Sequence, residues 1–117
     1  MDIIWNETNR ADWDALHAEA HGAWQQDWAY GAAVQGLGGT VARARIVDAG
    51  ATLGIAQFTS RRFGGVIGAG LCTRGPVWAP GLSAGAKHAA YRALKQTAPF
   101  ARPRFILFTP DEAAPAP

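Results

Sequence analysis

The spacing of apolar residues changes repeatedly along this chain, and each change marks an element. Ile3, Ile4 and Trp5 form a short apolar run, which predicts a first strand over Asp2 to Trp5. Trp13, Leu16 and Ala20 then recur at helical spacing. Thr8 or Asn9 offers an N-cap, and Asp12 and Asp14 lie in the first turns, where carboxylates favour a helix start. A first helix is expected from about Arg10 to Ala20, broken at Gly22. A second is expected from about Ala23 to Gln35. Trp24, Trp28 and Ala32 make one of its stripes, Tyr30, Val34 and Leu37 another, and Gly36, Gly38 and Gly39 end it.

The period then changes to two. In Thr40 to Asp48, Ala42, Ala44 and Ile46 face one way and Val41, Arg43, Arg45 and Val47 the other. Asp48-Ala49-Gly50 is a compact hairpin connection into a return strand over Ala51 to Arg62, with Leu53, Ile55 and Gln57 alternating on one face. Phe63-Gly64-Gly65 turns again, into a third strand over Val66 to Arg74. Gly68 and Gly70 share one face of that strand, where a neighbouring group can approach closely. Gly75-Pro76 stops it. Ser83 caps a third helix over Ala84 to Thr97, with Ala90, Leu94 and Tyr91 inward and Pro99 behind it. Arg104 to Phe108 carries the unbroken run FILF, the mark of a parallel strand buried on both faces. The order is β-α-α-β-β-β-α-β, an α/β arrangement. Its β-α-β step should cross over right-handed and lie parallel within one mixed sheet.

Composition narrows the class. The 117 residues are 49% hydrophobic and 17% charged, which suits one globular domain, expected over residues 1–110. Residues 111–117 (DEAAPAP) read as a disordered Ala/Pro tail. The net charge of +2 permits an anionic ligand without demanding one, and no basic block marks a nucleic-acid arm. Cys72 is the single cysteine, so no intrachain disulfide forms and a cysteine-based zinc site is excluded. The sequence shows no signal peptide at its start and no run of membrane-spanning length, so a cytoplasmic setting is expected.

Three stretches carry candidate chemistry. Gln26-Asp27-Trp28-Ala29-Tyr30-Gly31 resembles the Q-S-W-x-W-G start of helix two in the Fem-type aminoacyltransferases, the FemAB-like group. Ala56-Gln57 inside a strand and Arg74-Gly75-Pro76-Val77 after the next match that family's A-Q and R-G-P-V positions, in the same order and spacing. The resemblance runs from about Trp13 to Pro110. It implies a partial GNAT-like sheet (the acyl-CoA N-acyltransferase fold) and the N-terminal portion of an enzyme that transfers an acyl or aminoacyl group to an amine. In the bridge-forming members the donor is aminoacyl-tRNA and the acceptor a peptidoglycan precursor. It also implies Gln26, Trp28, Tyr30, Gln57 and Arg74 as substrate-binding candidates. Some members carry a lysine just after the first motif that meets a substrate phosphate; here Ala33 and Val34 stand in that neighbourhood. No general base is assigned.

Each candidate also has a structural reading. Trp24, Trp28 and Tyr30 at helical spacing can simply pack as core. Gln57 can bridge buried polar groups, and Arg74 can tie down its own loop. His17 and His21 share a helix face, but Glu19 points away from them and no third ligand is evident, so a solvated polar face is the better reading than a metal site. Cys72 reads as a buried strand cysteine. Arg61-Arg62-Phe63-Gly64-Gly65 fails as the CoA pyrophosphate loop: the residues where a further glycine or alanine is required are Val66 and Ile67, and a strand follows instead of a helix. No acetyl-CoA cofactor is expected. A non-catalytic docking module is the alternative reading, and a single-domain acetyltransferase a weaker one. The GNAT fold continues past such a strand, so the resemblance implies that Phe105 to Phe108 has an unpaired edge that self-association or a missing second half would cover.

Overall fold

Asn9 caps the first helix: its side chain accepts from the Asp12 N–H, so the chain turns helical at once. The computed structural model describes residues 1–63, 67–100 and 104–110, and all their side chains except those of 61–63 and 67. In order these are β1 (Asp2–Trp5), α1 (Arg10–Glu19), a 3₁₀ turn (Trp24–Gln26), α2 (Trp28–Gly36), β2 (Thr40–Asp48), β3 (Ala51–Phe63), β4 (Ile67–Thr73), β5 (Val77–Trp78), α3 (Ala84–Thr97) and β6 (Arg104–Thr109). The stretch Arg61 to Gly65, rejected above as a CoA loop, falls partly, and the Ala/Pro tail wholly, outside the described residues.

The six strands form one mixed sheet in the order β1-β2-β3-β4-β6, with β5 paired to β3. All neighbours are antiparallel except β4 and β6, which run parallel across the α3 crossover. Ala49 and Gly50 both take positive φ, the geometry of a two-residue hairpin turn that follows the twist of β2 and β3. Helices cover the sheet from two sides. Ala90 and Leu94 of α3 pack with Ala42, Ala44, Ile46, Ala56, Phe58 and Cys72. Trp13 of α1 packs with Ile55 and Val77 on the opposite face, with Trp28 beside them. Gly70 leaves room for Phe100, whose ring a Cβ there would overlap.

Several expectations need correction. The second helix is not continuous: Asp27 ends the 3₁₀ turn and caps α2, its Oδ1 accepting from the Tyr30 N–H at 2.6 Å. Trp24 therefore leaves the Trp28 stripe and is 59% exposed, not core. Leu37 is exposed as well. Leu53 does not share a face with Ile55. Ile46 pairs with Gly54 and Val47 with Thr52, so Leu53 is the extra residue of a bulge and packs on the α3 side. The two-residue strand β5 was not expected. Finally, β6 is buried on one face only: Ile106 and Phe108 pack toward α3, while Phe105 and Leu107 are 64% and 57% exposed. Among the described residues no strand pairs with its outer edge.

Candidate functional site

The ladder of β3 is interrupted on one side. Thr59 to Phe63 pair with β4, and Gly54 and Ile55 pair with β5, leaving Ala56 to Phe58 opposite the stretch where the chain leaves β4. Backbone groups in such a gap must find other partners. Gln26 supplies them. Its Oε1 accepts from the Gln57 N–H at 2.7 Å, and its Nε2 donates to the carbonyls of Gln57 at 3.0 Å and Thr73 at 2.9 Å. A side-chain amide thus stands in for the missing stretch of ladder, with both donors used. The 3₁₀ turn that delivers it is pinned by α1, where Trp13 Nε1 donates to the Gln26 carbonyl at 2.9 Å.

Gln57 continues the network with its own side chain. Nε2 donates to the carbonyls of Asp27 at 2.8 Å and Gln25 at 3.3 Å, and Oε1 accepts from Arg43 Nε at 2.8 Å. Arg43 Nη2 donates to the Trp28 carbonyl at 3.2 Å, and the guanidinium carbon lies 3.7 Å from the centre of the Trp28 ring. Gln26, Gln57 and Arg43 are all buried. Burial first, and the neighbouring positive charge of Arg10 second, hold the Arg43 guanidinium below its ordinary pKa. Two glycines make this packing possible. A Cβ on Gly31 would overlap Gln57 Oε1, and one on Gly75 would lie 2.5 Å from Gln26 Cδ.

Of the five expected site residues, the fold brings Gln26, Trp28 and Gln57 together and leaves Tyr30 and Arg74 apart. Tyr30 packs edge-on to Trp24 with ring centres 5.1 Å apart, and lines a cavity of about 420 Å³ with Val34 and Thr40. Arg74, at φ +52°, lines a cleft of about 210 Å³ with His21, Pro76, Trp78 and Lys87. Its own N–H donates to Thr109 Oγ1 at 2.9 Å, tying the end of β4 to the end of β6. The cleft carries two permanent cations and an imidazole, a setting for an anionic group. Arg43 was not among the expected residues. The available signal was its register: an arginine between two core alanines, directly opposite Gln57.

His17 departs from the solvated reading. Its Nε2 lies 2.8 Å from the Ala23 carbonyl, and its ring lies against Gly22. Among the described residues no cluster of three His, Cys, Asp or Glu is placed to hold a metal ion, and no helix is long and apolar enough to cross a membrane. Cys72 is fully buried, and burial pushes its thiol far above the ordinary range despite a hydrogen bond with Gln26.

The three sequence motifs are therefore one physical unit. Gln26 bonds the backbone of Gln57, Gln57 bonds the backbone entering α2, and Gly75 of the Arg74 turn closes over the Gln26 amide. The fold that carries them is a mixed α/β layer structure that also occurs within a larger solved protein. A solved structure of FemX matches with a TM-score of 0.65 and 18% identity, over 84% of this chain. The match covers 24% of FemX, so the chain spans about a quarter of that protein's length. No protein-family model and no curated protein matches the sequence.

Proposed function

We propose that this chain is the N-terminal portion of a Fem-type acyl- or aminoacyltransferase with a GNAT-like sheet, acting on an amine in a cytoplasmic setting. The observation that carries this reading is the convergence of the three Fem-like motifs on one buried network, within a fold shared with FemX. In this reading the donor is an acyl or aminoacyl carrier such as aminoacyl-tRNA, and the acceptor is the amine of a peptidoglycan precursor.

Transfer of this kind needs a neutral amine, a positioned carbonyl and donors for the developing oxyanion. Gln26 and Gln57 are fully engaged inside the protein, so their part is positioning. Gln26 holds Thr73 and the Gly75 turn, and so sets where the Arg74 guanidinium stands. Arg74 binds an anionic group of a substrate in the cleft with His21 and Lys87. Trp28 acts through Arg43, and Tyr30 offers a hydroxyl near a separate, larger cavity.

The test is amine acylation by the natural full-length polypeptide, with Arg74→Ala compared to the parent per folded molecule. Turnover should fall more than stability. Equal turnover would leave Arg74 purely structural and remove this reading of the cleft. One observation favours a second reading, a docking module: Leu71, Phe105 and Leu107 expose a continuous apolar strip on one face of β4 and β6. Sedimentation at low micromolar concentration separates the two. A monodisperse monomer that acylates amines alone excludes the docking module.

A further inference from the structure

The small net charge hides a strong segregation of charge along the chain. Residues 1–48 carry seven carboxylates and three arginines. Residues 49–110 carry no Asp or Glu at all and eight cations: Arg61, Arg62, Arg74, Lys87, Arg92, Lys95, Arg102 and Arg104. The remaining two carboxylates, Asp111 and Glu112, lie outside the described residues. The fold turns this into a separation in space. Asp12, Asp14, Glu19 and Asp27 belong to the layer of α1 and α2, across the sheet from α3. Such asymmetry points to an anionic partner.

The cations gather on α3. With Ala90 and Leu94 turned to the core, His88, Ala89, Arg92, Lys95 and Gln96 are exposed on the outward face of this 14-residue helix. A solvated helix face ordinarily sets Glu or Asp one turn from Lys or Arg. Here Arg92 and Lys95 stand one turn apart, and among the described residues no ion pair reaches either. Lys87 lies near the N-terminus, where the helix dipole disfavours a cation, and no acidic residue stands in the first turn. Arg104 adds a guanidinium at the other end, bonded to the carbonyls of Lys95 and Gln96 at 2.7 and 3.3 Å. None of these arrangements stabilises the helix by charge pairing; an external anion relieves the repulsion among them.

We propose that the outward face of α3 is a docking surface for an anionic lipid bilayer, held peripherally by Arg92 and Lys95 with Lys87 and Arg104 beside them. The shape favours a bilayer over an RNA. A helix lying on a sheet presents a convex ridge, and Gly85 and Ala89 on this one let it approach a plane of headgroups closely. Binding of single-stranded RNA wants rings for the bases to stack on. The one aromatic residue of α3, Tyr91, is engaged edge-on with Phe108 and Trp78 at 4.8 and 5.5 Å between ring centres. None of the large exposed apolar residues among the described ones belongs to α3, so the attachment is electrostatic and reversible rather than inserted. The assignment is independent of the transfer reading, since neither Arg92 nor Lys95 lines the Arg74 cleft.

The experiment is vesicle co-sedimentation of the natural full-length polypeptide at low ionic strength. Vesicles of phosphatidylcholine with about one third phosphatidylserine are compared with phosphatidylcholine alone. The protein should bind the anionic vesicles only, and added salt should release it. Each cation near an anionic surface is worth about a fivefold change in partitioning, so the double variant Arg92→Gln, Lys95→Gln should bind about 25-fold more weakly. Glutamine suits a helix as well as the residues it replaces, so the urea midpoint of that variant should match the parent's. Arg10→Gln, on α1 across the sheet, should bind vesicles like the parent. Equal binding to both kinds of vesicle, undiminished binding by the double variant, or an equal loss in Arg10→Gln overturns the surface. So does an oligouridylate that, at equal phosphate concentration, strips the protein from the vesicles and binds it through Arg92 and Lys95: the face would then belong to RNA.

Discussion

Replacing Gln26 with leucine keeps the side chain's volume nearly constant and removes every polar atom from it. Gln26 is fully buried, so water cannot replace what is lost. Three backbone groups lose their partner at once: the Gln57 N–H, the Gln57 carbonyl and the Thr73 carbonyl. An orphaned buried group costs about 1–3 kcal/mol, and some relaxation of the Thr73 turn is available, so a loss of about 3–6 kcal/mol is expected. That is a large part of the roughly 5–15 kcal/mol that holds a domain of this size. Urea unfolding followed by tryptophan fluorescence measures it. Amide hydrogen exchange then locates it: Gln57 should lose protection, while the helix residues of α3 should keep theirs up to the new global limit. A loss below about 1 kcal/mol, or an unchanged Gln57 amide, would show that the ladder gap is closed by something other than Gln26.

Trp28→Ala should cost about 3–5 kcal/mol as a large-to-small change that also strips the ring from Arg43, and urea unfolding checks it. Gly31→Ala improves helix propensity by about 1 kcal/mol, yet the new methyl meets Gln57 Oε1, so the net effect should be a loss of about 1–3 kcal/mol, read as a lowered thermal midpoint. Cys72 should resist thiol reagents at pH 8 until the protein unfolds. Because its folded pKa is raised, the unfolded chain releases the proton first. The Cys72 contribution is thus full below about pH 8.5 and declines above it by up to about 1.4 kcal/mol per pH unit. Cys72→Ala should flatten that alkaline slope, measured by urea unfolding between pH 8 and 10.

Local signals were legible where one local rule decided the outcome. Thr40 to Asp48 and Ala84 to Thr97 have the expected bounds because alternation, a glycine turn and the Ser83 cap agree there. The parallel pairing of β4 and β6 followed from the helix between them. Asp27 was read as part of a helix because its capping role depends on Ala23 to Gln26 docking on the sheet, which no local spacing records. The run FILF could not show one-sided burial: a continuous apolar run looks alike with one covered face or two. The site was legible in part for the same reason. Gln26, Trp28 and Gln57 were singled out from motifs, but the bulge at Leu53 and the register that sets Arg43 against Gln57 are tertiary facts.

The amide of Gln26 also bears on the order in which this protein folds. It bonds residues 31 and 47 positions away along the chain, so those bonds form only after long loops close. The hairpin of β2 and β3 can form early from local contacts, but Gln57 stays unsatisfied until the Trp24–Gln26 turn arrives. Until then the centre of β3 is an open edge that another chain can pair with. A strand completed by a distant side chain thus makes docking of the α1–α2 layer the step that closes the sheet. Variants that slow this docking should aggregate during refolding even where their native state is stable.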